Sequence, residues 1–193
     1  MINTYKLIIL VVFISLSSCA LSPQVIIINP DLKIDSTLSE NRTTTIGLDV
    51  VDARSSNIIG QRGGVYKETS NISTDDNMTS NLERRLAKAL NDFGFHVVDK
   101  GKEAVAILTV RIMNINYIYH SDKVLNNIET RAEIQAVCRM GDKEYTGLYK
   151  STRKKDVLKT PDEEGNSKIV NEVIAVVLQQ MLKDNDLISF LDG

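Results

Sequence analysis

VAILTVRIMNINYIY, residues 105–119, is the longest β-prone run of the chain, and the rest of the fold is organised around it. Its nearly continuous apolar character is typical of a strand in the middle of a sheet. Successive side chains of a strand point to opposite faces, so Ile107 and Leu108 should lie on different sides of that sheet. The run therefore predicts the central strand.

The residues that follow predict an antiparallel meander. A polar segment, 120–127, makes the first turn, and small or apolar residues then alternate with polar ones along 130–138. This is the period of a half-buried strand. A tight turn at 140–143 leads into another strand at 145–152, so three consecutive strands should pair as neighbours.

Three further strands are predicted on the N-terminal side. Residues 46–51 alternate between apolar and polar positions, and 95–98 are again β-prone. The run Val25-Ile26-Ile27-Ile28 indicates a first strand or a clasp at the domain edge.

Two apolar patterns predict helices. Apolar residues recur three or four positions apart across 76–93, with Gly94 as the stop, and 167–183 is apolar around more than half of its circumference. Residues 186–191 add a last turn that packs down. The expected fold class is α+β: a mainly antiparallel sheet of about five or six strands, with two principal helices packed on one face.

A glycine-rich and arginine-rich segment, 52–67, predicts a loop or hairpin tip, where glycine allows positive backbone angles or a close approach. It is the candidate partner-binding loop, with Arg54 and Arg62 as the contact residues. The alternative is that Asp52 pairs with Arg54 or Arg62 and simply pins the loop. The residues assigned to this loop are Asp52, Arg54, Arg62, Gly63 and Gly64.

The amino end has the three zones of a secretory signal: a short start with Lys6, an apolar run at 7–14, and small residues before Cys19. The apolar run is well short of the roughly twenty residues that a membrane-spanning helix needs. Leu16-Ser17-Ser18-Cys19 matches a bacterial lipobox, in which the cysteine thiol receives lipid and becomes the first mature residue. The alternative is an ordinary signal peptide with a chance cysteine.

These features divide the chain into a signal peptide at 1–18, a lipidated tether and edge segment at 19–44, and one α+β domain at 45–193. Acyl chains contribute about 0.8 kcal/mol per buried methylene, so two or three of them hold a protein on a membrane. Ala20, where inner-membrane lipoproteins tend to carry Asp, favours the periplasmic face of the outer membrane.

Composition excludes some classes of function. Lys6 is the only charge in the signal, which leaves 22 of the 23 basic residues against 25 acidic ones, a net charge of −3. No clustered basic surface of the kind that binds nucleic acid is indicated. Once Cys19 carries lipid, Cys138 is the one remaining cysteine. Its alternating apolar surroundings predict a buried small residue, and we expect no cofactor and no metal site.

In combination, these features resemble the YajG-type lipoproteins, bacterial envelope proteins of poorly defined function. The resemblance rests on the lipobox, the first strand with its Asp52-Ala53-Arg54 continuation, the amphipathic helix ending at Gly94, and the run 173–191. It implies a periplasm-facing lipoprotein and brings no catalytic residues with it. The glycine-rich stretch 60–64 is not explained by it.

Three functions fit this sequence. The first is a non-enzymatic protein that binds an envelope partner or the cell wall through a free face or edge of its sheet. The second is a carrier that holds a lipid or peptide between the second helix and the sheet. The third is a cell-wall hydrolase, for which Asp49, Asp52 and Glu129 would have to converge on folding.

Overall fold

The computed structural model describes residues 21–33, 42–63, 68–99, 102–121 and 125–193. Within these residues the chain forms one eight-stranded mixed sheet and three α-helices. The strands are β1 Gln24–Ile26, β2 Thr45–Asp52, β3 Ile58–Gln61, β4 Asn71–Thr74, β5 His96–Val98, β6 Ala106–His120, β7 Asn126–Met140 and β8 Lys143–Val157. The helices are α1 Met78–Asp92, α2 Glu163–Leu182 and α3 Asn185–Asp192.

Strand β6 lies at the centre of the sheet, as the sequence predicts. One of its edges pairs antiparallel with β7 along almost the whole strand, and β7 pairs antiparallel with β8. The expected meander is confirmed. Ile107 is 54% exposed whereas Leu108 is fully buried, so the two side chains point to opposite faces as predicted.

The other edge of β6 is shared by two strands. Strand β2 runs parallel to its first half, from Ala106 to Ile112, and β3 runs parallel to it near Tyr117 and Ile118. Beyond β3 the sheet continues with β4 and then β1, whereas beyond β2 it continues with β5. The sheet therefore divides into two arms on this side of β6.

The prediction of five or six mainly antiparallel strands is wrong. Strands β2 and β3 both run parallel to β6, and the pairs β2–β5 and β1–β4 are also parallel. Strands β3 and β4 were missed because each has only four residues, too few to show a period, and β3 falls in the segment assigned to a loop. Three helices pack on the sheet, where two principal ones were expected.

The core lies between one face of the sheet and the helices. Inward residues of β2, β6 and β7 are buried there, among them Ile46, Leu108 and Cys138. The predicted stripe of α1 is buried as expected, and α2 buries nine residues. Helix α2 begins earlier than predicted because the Asp162 carboxylate caps it, accepting a hydrogen bond from Gly165 N at 2.9 Å.

Strand β1 is held at the sheet edge by α2. Ile27 N donates to Ser167 Oγ at 3.2 Å, and Ile27 O accepts from Asn171 Nδ2 at 2.8 Å. Asn29 N donates to Asn171 Oδ1 at 2.8 Å. These contacts attach the start of the described chain to its C-terminal half.

Candidate functional site

In the part of the chain that the structure describes, only the first part of the outer edge of β2 is paired with another strand. Strand β5 pairs with Thr45 to Gly47, whereas β6 pairs with β2 as far as Asp52. Among the described residues, β2 therefore has a strand neighbour on one side only from Leu48 onward.

The hydrogen bonds at the start of β2 show which backbone groups face this edge. Thr44 O accepts from His96 N on the β5 side at 3.2 Å, and Thr45 O accepts from Val105 N on the β6 side at 3.0 Å. Because backbone groups alternate along a strand, Leu48 and Val50 turn their N–H and C=O groups to the outer edge. An unpaired edge of this kind is a template for another strand.

A hollow flanks this edge on each face of the sheet. On the helix side, a groove of about 600 Å³ runs between α1 and the β2 edge. On the other face, a smaller hollow of about 330 Å³ lies beside the same edge, and Leu48 and Asp99 line both. The helix-side groove is lined by Leu48, Ser80, Glu83, Arg84, Ala87, Asn91, Val97, Val98 and Asp99. The open-face hollow is lined by Gly47, Leu48, Asp49, Asp99, Lys102, Ala104 and Ile107.

Hydrogen bonds position residues that line the two hollows. Asn91 Oδ1 accepts a hydrogen bond from Val97 N at 3.1 Å, which ties the end of α1 to β5. Lys102 Nζ donates to Asp99 Oδ2 at 2.9 Å, and this hydrogen bond lowers the pKa of the Asp99 carboxyl. The groove itself combines apolar positions such as Leu48 with charges of both signs, Glu83 and Arg84 among them.

Arg54 lies just after β2 and joins the end of this strand to β4. Its guanidinium makes two hydrogen bonds of 2.8 Å to the Asp52 carboxylate and a third of 2.8 Å to Thr74 Oγ1. The Arg54 side chain is only 6% exposed, and its hydrogen bonds to Asp52 lower the pKa of that carboxyl. The structure thus contains the loop-pinning pair between Asp52 and Arg54.

The remaining residues of the predicted loop lie elsewhere. Arg62 donates a hydrogen bond to Ser22 O and is held against the start of the described chain. Gly63 has a positive φ of 80°, as a glycine-rich turn allows. Gly64, like Cys19 and the signal segment, lies outside the described residues. The structure therefore does not gather Arg54 and Arg62 into one exposed patch.

The three acidic residues named for a hydrolase do not converge. Asp49 pairs in register with Thr109 of β6, and Glu129 pairs with Ile118, nine positions further along that strand. Nine residues of strand span about 30 Å. No group of three or more metal-ligating side chains occurs in the described part of the chain.

The open face of the sheet carries cross-strand ion pairs. Lys150 Nζ lies 3.1 Å from Glu133 Oε2, and Lys154 Nζ lies 3.3 Å from Glu129 Oε2. A hydrogen bond from Arg131 and another from Lys154 lower the pKa of Glu129. Because these side chains already pair with each other, the β2 edge is the better candidate for a binding surface than this face.

Comparison with known proteins gives a family and a fold. A family model described as "Uncharacterized lipoprotein" matches residues 30–192. Among the curated proteins there is no significant match. None of the helices in the described ranges combines the length and apolar character that crossing a bilayer requires.

Two solved structures share the fold at low sequence identity. A protein from Xanthomonas campestris is 13% identical, with a TM-score of 0.55 over 81% of this chain and 91% of that one. A homolog of neuraminyllactose-binding hemagglutinin from Helicobacter pylori is 9% identical, with a TM-score of 0.51 over 84% of this chain and 97% of that one. At such identities the likeness is one of fold.

Proposed function

This chain belongs to the family of uncharacterized lipoproteins, and we propose that it is a non-enzymatic binding protein of the YajG type, anchored in the bacterial envelope through lipid on Cys19. The lipobox at 16–19 and the preceding signal support the anchor. Ala20 supports sorting to the periplasmic face of the outer membrane. The anchor would leave the folded domain free to meet a partner.

The observation that carries the binding role is the β2 edge between its two hollows. An extended segment laid along Leu48 to Val51 would hydrogen-bond to the outward backbone groups of β2. Its successive side chains would point alternately into the helix-side groove and the open-face hollow, because side chains alternate along a strand. We therefore propose an extended segment of an envelope protein as the partner.

The ligand-carrier alternative requires α2 to line a pocket. Instead, Val170, Val173 and Val177 of this helix are fully buried and belong to the same core as the inner face of the sheet. The packing of α2 is thus that of a core helix, which favours partner binding over a carrier.

Photo-crosslinking in living cells tests the binding role. A photoreactive amino acid at Asp99, which lines both hollows, should attach to a partner, and the attachment site should map to a single extended segment. Ser80→Trp, an exposed change that fills the helix-side groove, should reduce that crosslink several-fold. The matched control is Lys88→Trp, an exposed change on α1 at a position that does not line the groove.

The Ser80→Trp variant and the parent should melt at the same temperature, so that a weaker crosslink is due to the filled groove and not to unfolding. Equal crosslinking in the two proteins would remove the groove from consideration. Loss of the crosslink in Lys88→Trp as well would show that any bulky residue on α1 interferes, which would also contradict the proposal.

A further inference from the structure

The start of the described chain lies at one identifiable end of the sheet. Gln24 is level with Ile72, Ile72 with Gly60, and Gly60 with Tyr117. Two residues before Gln24, Ser22 is held by Arg62 and comes level with the end of β6. Towards its amino end the chain therefore leaves the domain at the end of the sheet where β6 finishes, on β1, with β4 and β3 between β1 and β6.

The length of the tether limits how far this end can be from the membrane. Cys19 lies three positions before Ser22, and an extended chain spans at most about 3.6 Å per step, or roughly 11 Å in total. The headgroup layer of each leaflet is itself about 5–8 Å thick. A lipid on Cys19 therefore brings this end of the sheet against the headgroups.

The surface of this end is suited to that contact. Leu158, directly after β8, is 87% exposed, and Leu125, directly before β7, is 41% exposed. Lys159 is exposed next to Leu158. The loop that follows Lys159 contacts the end of β6, because Thr160 Oγ1 donates a hydrogen bond to Tyr119 Oη at 3.2 Å. Exposed leucines beside a lysine are the residue types that enter a lipid interface.

Charges of both signs occur at this end, and they do not form one basic patch. Lys155 and Lys159 are exposed on the β8 side, and the start of α2 carries Asp162, Glu163 and Glu164. Apolar contact and tether length, rather than attraction to anionic lipid, are thus what orient the domain.

From the position of Ser22, the tether and this surface, we infer that the domain stands on the lipid bilayer with Leu158 and Lys159 in the headgroup layer. The inference rests on the proposed lipidation of Cys19. Beyond the anchor itself, the domain then has a defined orientation, in which this end of the sheet contacts the lipid surface.

This orientation places the β2 groove far from the membrane. Tyr119 is at the lipid end of β6, whereas Leu108, eleven residues earlier, is level with Leu48 in the groove. Eleven residues of strand span about 35 Å. A partner segment would therefore be met roughly 30 Å above the bilayer.

Site-specific fluorescence on the lipidated chain in phosphatidylethanolamine–phosphatidylglycerol vesicles tests the orientation. An environment-sensitive fluorophore is attached to Leu158→Cys, and the matched control is Asp142→Cys in the exposed turn at the opposite end of β8. Cys138 is fully buried and should stay unlabelled. We expect lipids that carry a quencher to quench the probe at 158 several-fold more than the probe at 142. Lys159→Cys should repeat the result.

Equal quenching at both ends, or stronger quenching at 142, would overturn the orientation. Mass spectrometry of the same samples separates this failure from a failure of the anchor. Acylated Cys19 with the 158 probe in water contradicts the orientation alone, whereas an unacylated Cys19 contradicts the anchor and the orientation together.

Discussion

At Gly60 the strands β3 and β6 approach so closely that no side chain fits between them. A Cβ at this position would overlap the carbonyl oxygen of Tyr117, which is backbone and cannot rotate away. We expect Gly60→Ala to lower the free energy of unfolding by at least about 2 kcal/mol, because the two strands would have to separate.

Urea unfolding of the two proteins measures this cost. Gly47→Ala is the control, since its Cβ would meet Ala104 Cβ at an ordinary 3.4 Å. A Gly60→Ala variant as stable as Gly47→Ala would contradict the close packing of β3 on β6.

The burial or backbone conformation of a single residue could be predicted where it depends on neighbours in sequence. The sequence indicated that Cys138 is buried, and the structure confirms it, with burial raising the pKa of its thiol to about 11. A close approach or a positive φ was expected in the glycine-rich segment, and Gly60 and Gly63 show one each. The neighbours of Arg62 could not be predicted, because Ser22 lies forty residues away in sequence.

At the scale of elements, Asp184 joins α3 to β8. Its Oδ2 accepts hydrogen bonds from Tyr145 Oη and Tyr149 Oη, both at 2.6 Å, and its Oδ1 accepts from Asp186 N at the start of α3. Burial alone would raise the pKa of Asp184, but the two tyrosine hydroxyls and the backbone N–H groups outweigh it and lower the pKa below its ordinary value of 3.8.

Asp184→Ala should therefore destabilise the protein in a pH-dependent way. A carboxylate with a depressed pKa stabilises the folded state fully above its ordinary pKa, and that contribution is lost as the pH falls through the folded value. At pH 7 we expect a loss of about 1–2 kcal/mol, as for a missing helix cap. As the pH falls below the ordinary value of 3.8 and through the lower folded value, the difference from the parent should shrink, because Asp184 becomes protonated in both states.

Chemical denaturation at pH 7 and at a series of pH values that descends below 3.8 checks this expectation, with Asp142→Ala in an exposed turn as the control. If the Asp184→Ala deficit stayed constant across the whole series, the carboxylate would not be the stabilising group.

The elements that could be predicted are those long enough to show a period. Strand β6 and helix α1 were expected within a few residues of their observed bounds. Strand β8 extends five residues past the predicted end at 152. A strand tolerates charged residues such as Lys154 when the neighbouring strand supplies opposite charges, as Glu129 of β7 does here. The open edge of β2 follows from the shortness of β5, which a strand pattern alone does not reveal.

At the scale of the whole molecule, a long three-stranded meander carries two short arms. One arm, β3–β4–β1, leads towards the proposed lipid anchor, and the other, β2–β5, forms one wall of the groove. The parallel pairing of β2 with β6 could not be predicted. It depends on the crossover through β4, α1 and β5, which returns the chain to the side of β2. The site was missed for the same reason, since its walls come from segments that only this crossover brings together.

The proposed anchor and the proposed orientation both depend on the attachment of fatty acyl chains to one sulfur atom. Mass spectrometry of the protein purified from its native membranes shows directly which groups are attached to that atom. We predict that the first residue is Cys19 carrying diacylglycerol, and that a Cys19→Ser variant retains its leader. An intact leader in the native protein, or a first residue elsewhere with a free thiol, would contradict the proposed anchor.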